Sequence, residues 1–502
     1  MRAACGMIRC PQMARVLPVV VATLASTGGC AQLAGIDNTS GSGRTVDSVK
    51  VTRLSIGNQV VPVPLDLSGL PARYLLATDS AGVYDRVYAS PTGGPGTWTR
   101  DLAAPAPVEF LLPDVPTPVP RLFDFPNRQL QVLFAPLEHP DRAPAPSGAM
   151  LTVTAPLDVA ATAMDSFQVF TVGSWTQFAL TAGVGATSIG PITYPFSTST
   201  SLSGRAQLDK LTTQDAFLVL RYTGSALTGV AEATPFDQTG ADMVTMPKLT
   251  AVAPDQTLDV RVSPPTLAMR YAAVRPTVGT LTMTWNVVAA PGYRIASNSG
   301  PPLQSGTLLM ADVGVSAKYG NPFAGRDWHA IFKLQTTETR TAMLPGPMGP
   351  ALPVTLFAGM NQFVEPSPGL TLGLDAGLPV LILIDGKQLA VDTNQTIAQP
   401  SKFAEVTFLA DNTNATLYNL QVLDLLPNAA VTAFDAHLVF AAASAEAKFE
   451  VPPEIFQVGH YYTLRAFCTY GGYPGIADGD FTNRQLPLTQ SFLDSGVFMV
   501  TP

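Results

Sequence analysis

The sharpest site-like feature of the sequence is Asp478-Gly479-Asp480-Phe481-Thr482-Asn483, preceded by Gly471-Gly472-Tyr473-Pro474-Gly475. Oxygen ligands one residue apart in a glycine-rich loop suit calcium, which takes carboxylates and carbonyls in flexible geometry. Asp478, Asp480 and Asn483 are therefore the candidate metal ligands, and calcium is the one cofactor left open. The loop lacks the glycine and terminal glutamate of an EF-hand. The same residues also build a turn, with Asp and Gly chosen for positive φ and local hydrogen bonds, and that is the favoured reading.

The remaining chemistry is sparse. His139, His329, His437 and His460 are scattered, and none forms an HExxH pair. Neither a GxSxG elbow, nor a P-loop, nor a GxGxxG after a strand occurs. A Ser-His-Asp set assembled from distant residues stays open, because triads are defined by geometry and not by order. Asp435 and His437 sit two apart on an expected strand and hence on one face, as an edge or surface feature. His329 beside Asp327 and Trp328 reads the same way. Four tryptophans, Trp98, Trp175, Trp285 and Trp328, are expected in sandwich cores; exposed on one face, they would instead make a sugar platform. Cys468 lies in the apolar-rich run Tyr461–Tyr470 and is expected to be a buried, inert thiol.

One cysteine carries an address instead of a reaction. Met13-Ala14-Arg15, the apolar run Val16–Ala25 and the small residues before Cys30 have the basic, apolar and small-residue order of a secretory signal peptide. The segment Ser26-Thr27-Gly28-Gly29-Cys30 resembles the lipobox of bacterial lipoproteins, with Thr27 where that family usually has Leu. Ala31-Gln32-Leu33-Ala34-Gly35-Ile36-Asp37 resembles the start of mature lipoproteins from myxobacteria and their relatives. The resemblance implies a type II signal peptide, lipidation at Cys30 and a membrane partner through that lipid. Ala31, in place of Asp, leans toward the outer membrane, with the side of the membrane left open. The apolar run is far short of the ~18–20 residues a spanning helix needs.

Composition is compatible with that address. Removing residues 1–29, which hold Arg2, Arg9 and Arg15 and no acid, takes the net charge from −8 to −11. An acidic surface argues against nucleic acid as a partner. If Cys30 is acylated, Cys468 has no partner for an intramolecular disulfide, and stability must come from large cores.

The elements that must position any site are strands. Short runs rich in Val, Leu, Phe, Tyr and Thr, bounded by Gly, Pro, Asn or Asp, recur along the chain: Gln129–Phe134, Phe167–Val172, Phe217–Tyr222, Leu281–Val288 and His437–Phe440 among them. Val380–Ile384, Asp385-Gly386 and Lys387–Val391 predict a hairpin on a type I′ turn. Helical spacing is nearly absent, and only Asp209–Ala216 is expected as a brief helix. The 45 prolines and 41 glycines fit turn-rich β domains with protected edges. An outer-membrane barrel would need ~10-residue strands and aromatic girdles, which the 8% aromatic content does not supply.

The expected fold is thus all-β, as tandem antiparallel immunoglobulin-like β-sandwiches. Residues 1–29 form the leader, 30–48 a flexible tether and 49–160 the first sandwich. Residues 161–344 hold one or two more, and 354–502 the last. Breaks are expected near the Pro-rich stretches Pro140–Ser147 and Pro345–Pro353. A binding or structural role follows, directed at a surface polymer such as a polysaccharide, a protein or another cell. The alternatives are a secreted hydrolase with a dispersed active site and an array of carbohydrate-binding modules.

Overall fold

The computed structural model describes residues 45–502, apart from 57–59, 65–71, 78–83, 89–96, 103–107, 112–118, 126–128, 138–141, 173–174, 199–207, 276–278, 294–299, 312–313, 348, 373–376, 391–393 and 412–414. Cys30 and His139 lie outside the described residues. The chain is all-β, and its sheets are arranged as sandwiches that follow one another along the sequence.

Near the N-terminus, Thr45–Ile56 pairs antiparallel with Val60–Pro64 and Thr97–Leu102, and parallel with Gln129–Leu137. Thr45 to Ser48 are thus paired, inside the stretch expected as tether. Tyr84–Tyr88, Ala72–Ala77, Val108–Leu111 and Pro120–Asp124 pair in that order and join the sheet of Phe434–Ser444 through Pro120–Asp124.

The next sandwich starts before residue 160. Met150–Pro156 pairs with Ser188–Pro195 and Ala241–Thr245, so its sheet crosses the expected boundary. Leu151, Val153 and Ala155 point inward from this strand in strict alternation. They meet Phe167, Val169, Phe178 and Val219 from the facing sheet of Thr176–Leu180, Asp165–Thr171, Phe217–Thr223 and Ala226–Glu232. Phe217–Thr223 is buried on both faces, which explains its unbroken apolar run: Phe217 and Val219 serve this core, Leu218 and Leu220 the next.

In that next core, Gln256–Arg261 carries Leu258 and Val260 against Trp285 and Val287 of Thr280–Ala290 and Ile331 of His329–Pro345. The last sandwich sets Pro379–Ile384, Ala404–Ala410 and Lys448–Val451 against a sheet of Phe434–Ser444, Leu417–Pro427, Tyr461–Gly471 and Leu488–Asp494. Ile382, Val406, Phe408, Val422 and Leu464 fill the space between.

Two expectations are revised here. Pro345–Pro353 is no linker. It turns a long hairpin whose arms pair from Phe332↔Val364 to Pro345↔Ala351, one arm belonging to the third core and the other joined to Leu488–Asp494. Proline and glycine serve the turn, where Gly346 N–H donates to Pro350 O at 3.1 Å. Asp209–Ala216 is not a helix: Asp209 bridges to Pro144, and the Asp215 carboxylate accepts the Thr212 N–H at 2.8 Å to close a turn. The α-helix is Pro264–Val274, with proline in its first turn and Leu267, Tyr271 and Val274 buried on one stripe. The Asp385-Gly386 turn holds φ of 48° and 75°, as a type I′ hairpin requires, with Ile384 opposite Lys387.

Candidate functional site

The sequence-flagged residues come first. Asp480 is committed within its own loop: its carboxylate accepts the Thr482 N–H at 2.7 Å and the Thr482 hydroxyl at 2.6 Å. Asp478 is exposed at the end of a single 3₁₀ turn, Ile476–Asp478. Among the described residues, no group of three or more His, Cys, Asp or Glu side chains converges as metal ligands would.

The tryptophans are all buried, so none presents a sugar platform. Trp175 and Trp328 sit with ring centres 5.8 Å apart in the third core. Cys468 is buried and free, and burial pushes its thiol pKa up to about 12. Asp435 and His437 are exposed on their strand, and His329 is exposed against Tyr293. His460 does meet an acid: its Nδ1 lies 3.0 Å from Asp424 Oδ2. No hydroxyl or thiol bonds to His460 among the described residues, so the pair is a dyad without a nucleophile.

A substantial cleft lies elsewhere, on the outer face of the last sandwich. Strand alternation decides which side chains reach it. Leu420, Val422, Ala466 and Cys468 turn into the core, so Asn419, Gln421, Phe467 and Thr469 turn outward. Pairing registers Gln421 and Asn419 with Ala441 and Ala443 on one side, Asn419 with Phe467 on the other, and Thr469 with Gln490. The alanines carry only a methyl each and leave a hollow in the sheet. The N-terminal strand Pro120–Asp124 walls it in, running parallel to Phe434–Ser444 and setting Arg121 opposite Ala441 and Phe123 opposite Ala443.

The glycine-rich loop forms the roof. Gly471 and Gly472 take φ of 63° and 78°, turning the chain sharply out of its strand, and a Cβ at Gly472 would stand 2.5 Å from Leu488. The loop then docks on the N-terminal strands: Gln131 N–H donates to Gly479 O at 2.9 Å, and Phe481 N–H to Gln131 O at 2.8 Å. Phe481 packs on Phe125 with centroids 4.6 Å apart. The loop favoured as a structural turn, with calcium as the weaker candidate, thus acts as a clamp between the last sandwich and the strand Gln129–Leu137.

The resulting cleft encloses about 380 Å³, within the ~300–1,000 Å³ of small-molecule sites. Its lining holds two arginines, Arg121 and Arg484, and no Asp or Glu. Arg484 is oriented by Tyr473, donating to its hydroxyl at 2.6 Å with the guanidinium 5.3 Å from the ring centre. Arg121 differs: among the described residues its guanidinium makes no hydrogen bond or ion pair, and its Nε is buried without a partner. Burial lowers its pKa below the ordinary arginine value. On the same sheet face, Arg465 grips Asp494 through two bonds of 2.6 and 2.9 Å. One arginine is satisfied by the protein, and its neighbour across the sheet is not.

No sequence signal joins Arg121 to Arg484; only the fold brings them together. Fold and cleft define an all-β, multi-sandwich protein with a half-open polar-aromatic cleft. No family model matches the chain, and no curated protein is detectably similar to it in sequence.

Proposed function

We propose that the protein is a lipid-anchored binding protein of the cell envelope, anchored through Cys30 in the outer membrane, and that the cleft between its N-terminal strands and last sandwich holds the ligand. The observation that carries the binding role is the half-buried Arg121, whose buried Nε has no partner among the described residues, set in an acid-free, aromatic-lined hollow. Keeping an uncompensated cation out of water costs stability, and such groups are retained where a ligand completes them. The leader and Cys30 support the address. The acidic net charge of −8 keeps the rest of the surface unattractive to nucleic acid.

Two measurements test this reading. Metabolic labelling with a fatty-acid analogue is expected to mark the wild type and to miss Cys30→Ala, which is released from membranes. Purified surface polysaccharide is expected to be retained by the wild-type chain and lost by Ala441→Phe, which fills the hollow. Equal retention by an Ala441→Phe protein of unchanged melting temperature overturns the cleft as the site.

A further inference from the structure

We infer that the cleft recognises the carboxylate of an acidic sugar, a uronic acid unit of a saccharide, through the Arg121 guanidinium. This deepens the reading above and rests on the cleft being a binding site. A guanidinium presents a planar fork that matches a carboxylate with two parallel hydrogen bonds. Arg121 has that fork unspent, and Arg484 adds a second positive charge held in place by Tyr473.

Three amides, Asn419, Gln421 and Gln490, project into the same hollow from two of the sheet's strands. Each offers a donor and an acceptor, which is what ring hydroxyls need. Phe467, Tyr473 and Phe481 supply apolar faces for the sugar ring.

Charge narrows the class further. Two cations set in a protein of net charge −8 attract a local carboxylate while the surrounding field repels an extended polyanion. Polyphosphate and nucleic acid are thereby disfavoured. A peptide chain end also carries a carboxylate, but it would leave the amides with few hydroxyl partners.

The test is calorimetric titration of the full chain with glucuronate and with a galacturonate trisaccharide. Glucose serves as the neutral control and a short peptide with a free C-terminus as the competing carboxylate. Uronates are expected to bind about tenfold or more tighter than glucose, as the loss of one charge-assisted contact implies. Arg121→Gln is expected to abolish that preference, and Arg121→Lys, which keeps the charge and loses the fork, to retain part of it. Equal binding of glucose and glucuronate overturns the carboxylate assignment. Arg121-dependent binding of the peptide without uronate binding overturns the saccharide and leaves the cleft a binding site. Failure of every ligand, together with unchanged polysaccharide retention by Ala441→Phe, removes the cleft reading as well.

Discussion

Arg275 and Glu338 form an ion pair from which solvent is fully excluded, both side chains being 0% exposed. Arg275 follows the last turn of the only α-helix among the described residues, and Glu338 lies midway along the first arm of the long hairpin. Most of the remaining valences are satisfied, Arg275 Nε being buried without a partner. Gly279 N–H donates to Glu338 Oε1 at 2.7 Å, while Arg275 Nη2 donates to Phe357 O at 3.0 Å and Asp494 O at 3.1 Å. Asp494 in turn accepts the Phe357 N–H at 2.8 Å and both bonds from Arg465. The helix end, both hairpin arms and the final sheet thus meet at one charged knot.

Breaking that knot on one side leaves a buried charge without a counterion. Glu338→Gln is expected to lower unfolding stability by about 3–5 kcal/mol, measured by urea denaturation. Replacing both partners, Arg275→Met with Glu338→Leu, is expected to recover most of the loss. A double variant as unstable as the single one would show that the pair's geometry matters more than its charge.

Arg121 is expected to behave in the opposite way. Because its guanidinium makes no bond among the described residues, Arg121→Met removes a desolvation cost and keeps the stem's packing. Stability should stay level or rise by roughly 1 kcal/mol, the pattern of a residue kept for function. A loss of that size in the same denaturation assay would mark Arg121 as structural.

Acid sensitivity should concentrate at Asp165. Burial pushes its carboxyl pKa up, but hydrogen bonds from Arg221, Thr223 and Thr162 outweigh that and hold it well below the usual carboxylate range. A pKa depressed on folding stabilises the protein above the unfolded value and loses that effect as pH falls through the folded one. The stability gap between wild type and Asp165→Asn should be widest above about pH 5 and shrink steadily below about pH 4. A gap independent of pH, read from denaturation midpoints, would locate the acid response elsewhere.

The Cys468 thiol, with its pKa pushed up to about 12 by burial, is expected to resist maleimide and disulfide reagents in the native protein at neutral pH. Labelling should appear only in step with global unfolding. Rapid labelling of native protein would reveal local opening of the strand Tyr461–Gly471.

Much of the fold was legible in the sequence because strands write their burial in a period of two. Leu281–Val288 shows it, with Met283, Trp285 and Val287 buried between less buried neighbours, and Asp385-Gly386 names its own turn. The helix escaped notice because its buried stripe is only Leu267, Tyr271 and Val274, set among small residues, and the Pro264-Pro265 pair reads equally well as loop. Pro345–Pro353 reads in sequence as a linker or long loop at a domain break because turns and linkers share proline and glycine; only cross-strand pairing separates them. The cleft was half visible. The loop after Gly471 stood out by composition, but its partners Arg121, Gln131 and Ala441 come from distant segments, and no local pattern marks an arginine that the fold will leave unpaired.

The parallel pairing of Thr45–Ile56 with Gln129–Leu137 has a mechanical consequence. Tension entering at residue 45 and leaving beyond residue 137 pulls these two strands lengthwise past each other. Their cross-links, from Ser48↔Gln129 to Arg53↔Phe134, are then loaded together and cannot peel one at a time. A chain tugged by its leading end should therefore yield at high force in a single step, the parallel pair carrying the load past the strands that lie between its two members.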